Sequence, residues 1–556
     1  MRPPLHGTET LPGSTRFQVW APRLDRLSIR LERREVPLAR SPDGWFGAEV
    51  PGVAPGARYV LVLPDGRTRP DPASLRQPDG VHGPSQVFDP GAFRWTAGGW
   101  RGLPLEALTF YELHLGTFTS EGTLDAAAAR LPELVDLGVS CVELMPVQPF
   151  PGDRNWGYDG VELHAVHEGY GGPEALQRFV DRAHGLGLAV CLDVVYNHLG
   201  PEGNYLAELG PYFTSRHRSP WGDGLNYDGE DARPVRDFML EAAVRWARDY
   251  RVDALRLDAV QAIQDDSPRH LVGELCDRVA EVSRETGRQI HVIAESDLND
   301  RKVVEPGPGG WGACAAWADD LHHALHALLT GERGHYYADY GRPEDVQRAL
   351  LQGFVYQGQR SEFRKRPFGT STEGLLPLRF VACLQNHDQV GNRPFGERLT
   401  ALVPWEALAP AAAILILGPA LPLLFMGEEY GESRPFLYFT SHGDPALARA
   451  VSEGRKKELI AVAAGRPIPD PQDPQTFEQS RLTHRRSGRH GALREVYRQL
   501  LAVRRRHAAA IGAHWPEVAR DGRAFTVRRP GLTLRANLGP EPAGGMPGWG
   551  WGVEEG

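Results

Sequence analysis

Cysteine is scarce in this chain: five in 556 residues, at Cys141, Cys191, Cys276, Cys314 and Cys383. They are odd in number and far apart, with no Cys-x-x-Cys pair, so neither a disulfide framework nor a zinc site is expected. Reduced, mostly buried thiols fit better. The stretch Met1 to Leu11 lacks the apolar run of a secretory signal, and a cytoplasmic protein is expected. An excess of positive charge is missing too. The net charge is −9, which gives no hint of a nucleic-acid partner. The short basic cluster Arg504-Arg505-Arg506-His507 falls on a helical pattern and reads as a solvated face. A long unbroken apolar run is also absent. Residues 407–426 carry no charged side chain, but Pro410, Gly418, Pro419 and Pro422 interrupt them. A membrane span needs about 20 apolar residues, so a buried helix, a turn and the short strand Leu423-Leu424-Phe425 are expected there, and no membrane. Metal and cofactor signatures are lacking. His322-x-x-x-His326 has no third ligand, and Gly307 to Gly310 lacks the strand-then-helix context of a phosphate cradle. No cofactor and no metal are expected.

What is present is a change of pattern along the chain. Residues 14–63 alternate in short runs, Arg16-Phe17-Gln18-Val19-Trp20 and Arg58-Tyr59-Val60-Leu61-Val62 among them, with turn residues between. An immunoglobulin-like β-sandwich over 1–95 is expected. From Thr109 the signals alternate between strand and helix. About eight strands, near 110, 141, 190, 253–258, 290–295, 314–318, 380–386 and 423–426, point to an α/β fold, a (β/α)₈ barrel over 96–512 with long loop excursions. Helices are expected over Leu124 to Leu137, stopped by Gly138, over Pro173 to His184, and over Leu493 to Ile511. Two strand candidates follow, Phe525 to Arg528 and Leu532 to Arg535, in a small or shortened C-terminal β-domain over 513–556.

Four segments end apolar runs in ionisable groups: Asp193 to His198 (DVVYNH), Leu255 to Val260 (LRLDAV), Val292 to Ser296 (VIAES) and Gln385 to Asp388 (QNHD). Successive barrel strands would deliver such groups to one rim. Acetal hydrolysis needs a proton for the leaving oxygen and capture of an oxocarbenium-like centre, and two carboxyls can do both if one is protonated and one ionised. Arg256 and Asp258 share a strand face, so the cation would hold the carboxylate ionised. Glu295 ends the apolar run His291 to Ala294, surroundings that raise a carboxyl pKa as a general acid requires. Asn386, His387 and Asp388 could bond sugar hydroxyls, and Asp193 with His198 forms a similar group.

Together these segments resemble the four signature regions of the α-amylase superfamily. The resemblance implies Asp258 as nucleophile, Glu295 as general acid/base and Asp388 as transition-state stabiliser. Asp193, His198, Arg256 and His387 would line the subsite of the attacked glucose, with Tyr158 stacked beneath it. Three longer stretches, Asp193 to Tyr205, Phe380 to Phe395 and Leu424 to Thr440, resemble the maltooligosyltrehalose trehalohydrolase branch. That branch implies cleavage of the α-1,4 bond beside a terminal trehalose, with retention of configuration. Asp258 and Glu295 would then be about 5 Å apart. Its implied partners are maltooligosyltrehalose and α-1,4-glucan oligosaccharides, with functional pairing to a maltooligosyltrehalose synthase. Trp221, Asp223, Phe354 and Tyr356 are candidates for reading the leaving trehalose. The chain departs from the branch in its short C-terminus. A glycogen-branching or debranching enzyme and a non-catalytic glucan binder stand as alternatives. Calcium, which some relatives bind near the position of Asn197, is left open, because one position cannot form a site of roughly 6–8 oxygen ligands.

Overall fold

The computed structural model describes residues 5–556, apart from 33, 220 and 221. Eight parallel strands close into a barrel: β1 (Phe110–Leu113), β2 (Cys141–Leu144), β3 (Ala189–Val194), β4 (Ala254–Leu257), β5 (His291–Glu295), β6 (Ala315–Trp317), β7 (Phe380–Cys383) and β8 (Leu421–Phe425). Phe110 pairs with Leu423 across the closing seam. All eight lie where the apolar runs placed them.

Strand alternation decides what fills the barrel. Phe110, Cys141, Cys191, Ala254, Ile293, Ala315 and Cys383 pack together as one buried cluster. One pleat further along the strands come Glu112, Glu143, Asp193, Arg256 and Glu295, so an apolar plug at the base carries a charged layer above it. Three of the scarce cysteines, Cys141, Cys191 and Cys383, thus serve as small apolar side chains in a confined interior, while Cys276 lies on the helix Leu271–Thr286. All five are free thiols.

The surrounding helices follow their punctuation. The helix Leu124–Leu137 is capped at its start by Thr123, which accepts from the Ala126 amide, and stops at Gly138. Gly138 adopts φ 105°, a left-handed conformation that glycine takes without steric cost. The helix Gly172–Gly185 spans the expected segment. The charge-free stretch forms the buried helix Leu408–Ile416 and then β8, and among the described residues no helix is long and apolar enough to cross a membrane.

One expectation is corrected on the long helix Arg489–Ala513. Arg504 is 3% exposed, and donates to the carbonyls of Ile416, Gly418 and Ala420 at 2.7, 3.1 and 2.8 Å. It satisfies the end of a buried helix, while Arg506 faces solvent and pairs with Glu555.

Before the barrel lie two antiparallel sheets. One pairs Gly7–Leu11, Ser14–Trp20, Trp45–Pro51 and Ala39–Arg40; the other centres on Ser28–Leu31 and Arg58–Val62. Arg76, between the last two strands of the second sheet, Thr68–Arg69 and Ser85–Gln86, bonds Glu168 and Glu174 of the barrel, both at 2.8 Å. After the barrel, both expected strands appear, as Ala524–Arg529 and Leu532–Asn537. Glu517–Asp521 and Trp551–Glu555 extend them to a four-stranded antiparallel sheet.

Candidate active site

Arg256 organises the barrel mouth. Its guanidinium is fully buried and lies 4.3 Å over the Trp317 ring. Nη1 donates to Asp193 Oδ1 and Oδ2 at 2.8 and 2.7 Å and to Asp258 Oδ1 at 3.0 Å. Nη2 stands 2.7 Å from Glu295 Oε2, off the line of its N–H bonds. One cation therefore touches three carboxyls from three adjacent strands. The register explains this: Asp193 pairs with Arg256 across β3 and β4, and β5 brings Glu295 alongside.

Asp258 and Glu295 are held differently. Asp258 is 9% exposed, and its second oxygen accepts from Asn197 Nδ2 at 2.7 Å. The same Asn197 nitrogen donates to the Asp258 carbonyl at 2.7 Å. Asn197, considered in the sequence only as a calcium neighbour, clamps this side chain. Glu295 Oε2 accepts from the Ala259 amide at 2.7 Å. Ala259 has φ 37°, a conformation uncommon outside glycine, and it turns that amide toward Glu295. Burial pushes the Glu295 carboxyl well above its ordinary range. Arg256 opposes this, and the charges of Asp258 and Asp388 reinforce it. Burial likewise raises Asp193 to about 6, against the pull of Arg256.

A second chain of contacts closes the mouth. His387 Nδ1 donates to Glu112 Oε1 at 2.5 Å and its backbone amide to Glu112 Oε2 at 3.0 Å. Burial alone would lower this imidazole, but Asp388 and Glu112 more than offset it and hold it at about 10. The ring is therefore a cation, and Nε2 donates to the Tyr158 hydroxyl at 2.8 Å. The Tyr158 hydroxyl donates in turn to Asp193 Oδ2 at 2.6 Å. His198 Nε2 donates to the Tyr158 carbonyl at 3.0 Å. Asp388 stands at the first turn of the short helix His387–Gly391, 3.5 Å from His387 Nε2 and half exposed to the mouth. These groups wall a cavity of about 510 Å³ that also touches Trp156, Asp159, Tyr438, Arg455 and Glu458. Tyr158, His198, Asp258, Glu295, His387 and Asp388 all line it.

Residues 86–223 match the family model described as alpha amylase, catalytic domain. The malto-oligosyltrehalose trehalohydrolase of Rhizobium sp. (strain M-11) is 44% identical over 95% of this chain and 89% of its own length. That of Saccharolobus solfataricus is 43% identical over 91% and 89%. The chain belongs to the malto-oligosyltrehalose trehalohydrolase family. A crystal structure of a putative alpha amylase from Salmonella typhimurium superposes with a TM-score of 0.89 at 42% identity, covering 96% of this chain and 93% of that one.

The mouth continues on its other side. A second cavity of about 790 Å³ adjoins the first and shares Asp388, Asn392 and Glu458 with it. Tyr336, Tyr337, Phe363 and Arg364 line it, with Asp297, Asp319 and His323. Of the residues the sequence offered for this side, none described lines it. Phe354 is core, edge-on to Phe380 at 5.1 Å. Tyr356 is buried, its hydroxyl donating to the Asp339 carbonyl at 2.9 Å. Asp223 is on an exposed hairpin of Phe213–Ser219 and Gly222–Leu225, 3.9 Å from Arg218. Trp221 lies outside the described residues. Asn386 is also away from the sugar space: its Oδ1 caps the His387–Gly391 helix, accepting from the Asp388 and Gln389 amides at 2.9 and 3.3 Å.

The metal-type clusters are engaged elsewhere. His322 bonds the Leu384 carbonyl and Tyr337, and His326 bonds Glu332. Among the described residues His217, Asp228 and Asp266 converge, and Arg216 already reaches Asp266 at 2.7 Å.

Proposed function

We propose that the protein is a retaining glycoside hydrolase that cleaves the α-1,4 bond next to the terminal trehalose of maltooligosyltrehalose, releasing trehalose and a shorter maltooligosaccharide. The observation that carries this reading is the pairing of Asp258 and Glu295 on one guanidinium, beside a single cavity, in a chain of this family.

Glucose stacks on Tyr158 in the first cavity. Glu295, kept protonated by its burial and its anionic neighbours, gives its proton to the leaving trehalose oxygen. Asp258 attacks the anomeric carbon and forms a glycosyl ester. Glu295, now ionised, takes a proton from a water whose oxygen attacks the anomeric carbon; the bond to Asp258 breaks, its carboxylate is restored, and the sugar leaves with its configuration retained. Asp388 bonds the ring hydroxyls as the ring flattens, while the His387 cation, both of its N–H groups taken by Glu112 and Tyr158, positions Tyr158, and Asp193 and Arg256 hold the other groups in place. The departing disaccharide occupies the second cavity, against Tyr336, Phe363 and Arg364.

We take residues 1–95 as a glucan-binding sandwich, 96–512 as the catalytic barrel and 513–556 as a small closing domain. We place the enzyme in the cytoplasm, downstream of a synthase that builds the terminal trehalose unit. A branching or debranching enzyme would share Asp258 and Glu295 and differ in what intercepts the ester. Incubation with maltooligosyltrehalose and, separately, with amylose discriminates: trehalose from the first alone is expected. New branches in amylose, or no trehalose, would overturn the reading.

A further inference from the structure

Asp319 stands two residues beyond the end of β6, on the barrel rim. It precedes the helix Asp320–Thr330, where an aspartate ordinarily accepts from first-turn amides. Here the backbone at φ −68° and ψ −13° is already helical, and the side chain makes no cap bond. Gln389 Nε2 reaches Asp319 Oδ1 only at 3.5 Å, the limit of a hydrogen bond. The adjacent carboxyl behaves differently. Asp320 accepts from Asn299 Nδ2 at 3.0 Å, from the Tyr340 hydroxyl at 2.8 Å and from the Val355 amide. One of two neighbouring carboxyls is built into the scaffold and the other faces space. That space is the second cavity, which Asp319 lines and Asp320 does not; both touch a small recess that shares part of its wall. The cations of the same wall are engaged elsewhere, Arg364 with Asp297 at 3.0 Å, Arg393 with Glu332 at 2.8 Å and Arg333 with the Ala327 and Glu332 carbonyls, which leaves Asp319 with acceptor capacity to offer.

We propose that Asp319 is a specificity-determining residue for the leaving group, its carboxyl hydrogen-bonding a hydroxyl of the sugar that departs through the second cavity. This rests on the trehalose-releasing reading above. Burial, then the charges of Asp388, Asp320 and Asp297, push Asp319 up to about 7, so near neutrality it can donate or accept toward a hydroxyl. It is no second acid for the scissile bond, because it does not line the cavity that holds Glu295.

The test compares two substrates. Maltooligosyltrehalose fills both cavities, whereas maltosyl fluoride has a one-atom leaving group and leaves the second empty. Asp319→Ala and the near-isosteric Asp319→Leu are each measured as the ratio of kcat/KM on the two substrates, so the fraction of folded enzyme cancels. The ratio is expected to fall about 10- to 100-fold, the range for a lost hydrogen bond to a charged group, and trehalose should weaken as a product inhibitor by a similar factor. An unchanged ratio would overturn the proposal, since Asp319 would then act through Gln389 and Asp388 or not at all. Failure of the trehalose-releasing reading is read separately, on the unmodified enzyme: no trehalose from maltooligosyltrehalose refutes that reading and this one with it.

Discussion

Replacing Glu295 by glutamine separates its proton from its shape. The amide oxygen can take the place of Oε2 on the Ala259 amide and beside Arg256 Nη2, both at 2.7 Å. What is lost is the proton that burial and the carboxylates of Asp258 and Asp388 keep on this group. A positioned acid contributes about 10²- to 10⁴-fold, and a sugar alkoxide is a poor leaving group. The expected loss in kcat/KM on maltooligosyltrehalose is therefore near the upper end, about 10³- to 10⁴-fold, or roughly 4–5 kcal/mol. Fluoride departs with little help, so on maltosyl fluoride formation of the ester should slow by less than about tenfold. The same variant lacks a base for the second step, so the glycosyl-enzyme should accumulate as a burst of fluoride. Added azide, which needs no deprotonation, should discharge it as the α-glycosyl azide. Stopped-flow fluoride release and mass spectrometry of the trapped enzyme read both effects. Equal losses on the two substrates, or more than a tenth of normal activity on maltooligosyltrehalose, would refute the assignment of Glu295 as the acid.

Asn197→Ala removes both 2.7 Å bonds onto Asp258 and should lower kcat about 10- to 100-fold with little change in melting temperature, as steady-state kinetics and thermal unfolding would check. His387 is held at about 10, above the ordinary 6.5, so its charge stabilises the fold fully below about pH 6.5 and that contribution is lost as pH rises through 10. Its ring should still be protonated at pH 8 by NMR, and Glu112→Gln should weaken this pH dependence; a neutral ring at pH 8 would contradict the pairing. Arg504→Met leaves the three carbonyls of Ile416, Gly418 and Ala420 unsatisfied and should cost about 3–5 kcal/mol in denaturant unfolding, with kcat at low temperature unchanged.

The barrel and its charged rim were legible because each functional group closes an apolar run. Strand alternation puts Asp193, Arg256, Asp258 and Glu295 on the interior without knowledge of the third dimension. The second cavity was not legible. Its walls come from 297–337, 363–394 and 458–462, and its aromatic side chains, Tyr336, Tyr337 and Phe363, sit on a short 3-10 helix and in a turn, where no strand or α-helix period applies, so aromatic identity alone could not tell Phe363, which faces the cavity, from Phe354, which packs on Phe380. Arg504 was misread for a related reason: a charged residue on a helix reads as solvated unless the carbonyls it serves, 84 or more positions away, are known. Asn386 carried a helix-cap signal, with Gln389 three residues on, and its proximity to Asp388 drew the functional reading instead.

The fork of Arg256 ties the architecture to a single residue type. Its two terminal nitrogens serve different carboxyls, Nη1 those of Asp193 and Asp258, Nη2 that of Glu295. A lysine would supply the same charge from one point and could not straddle the gap, so any drift of this position to another base would uncouple two halves of the machinery that the barrel wall now keeps in step.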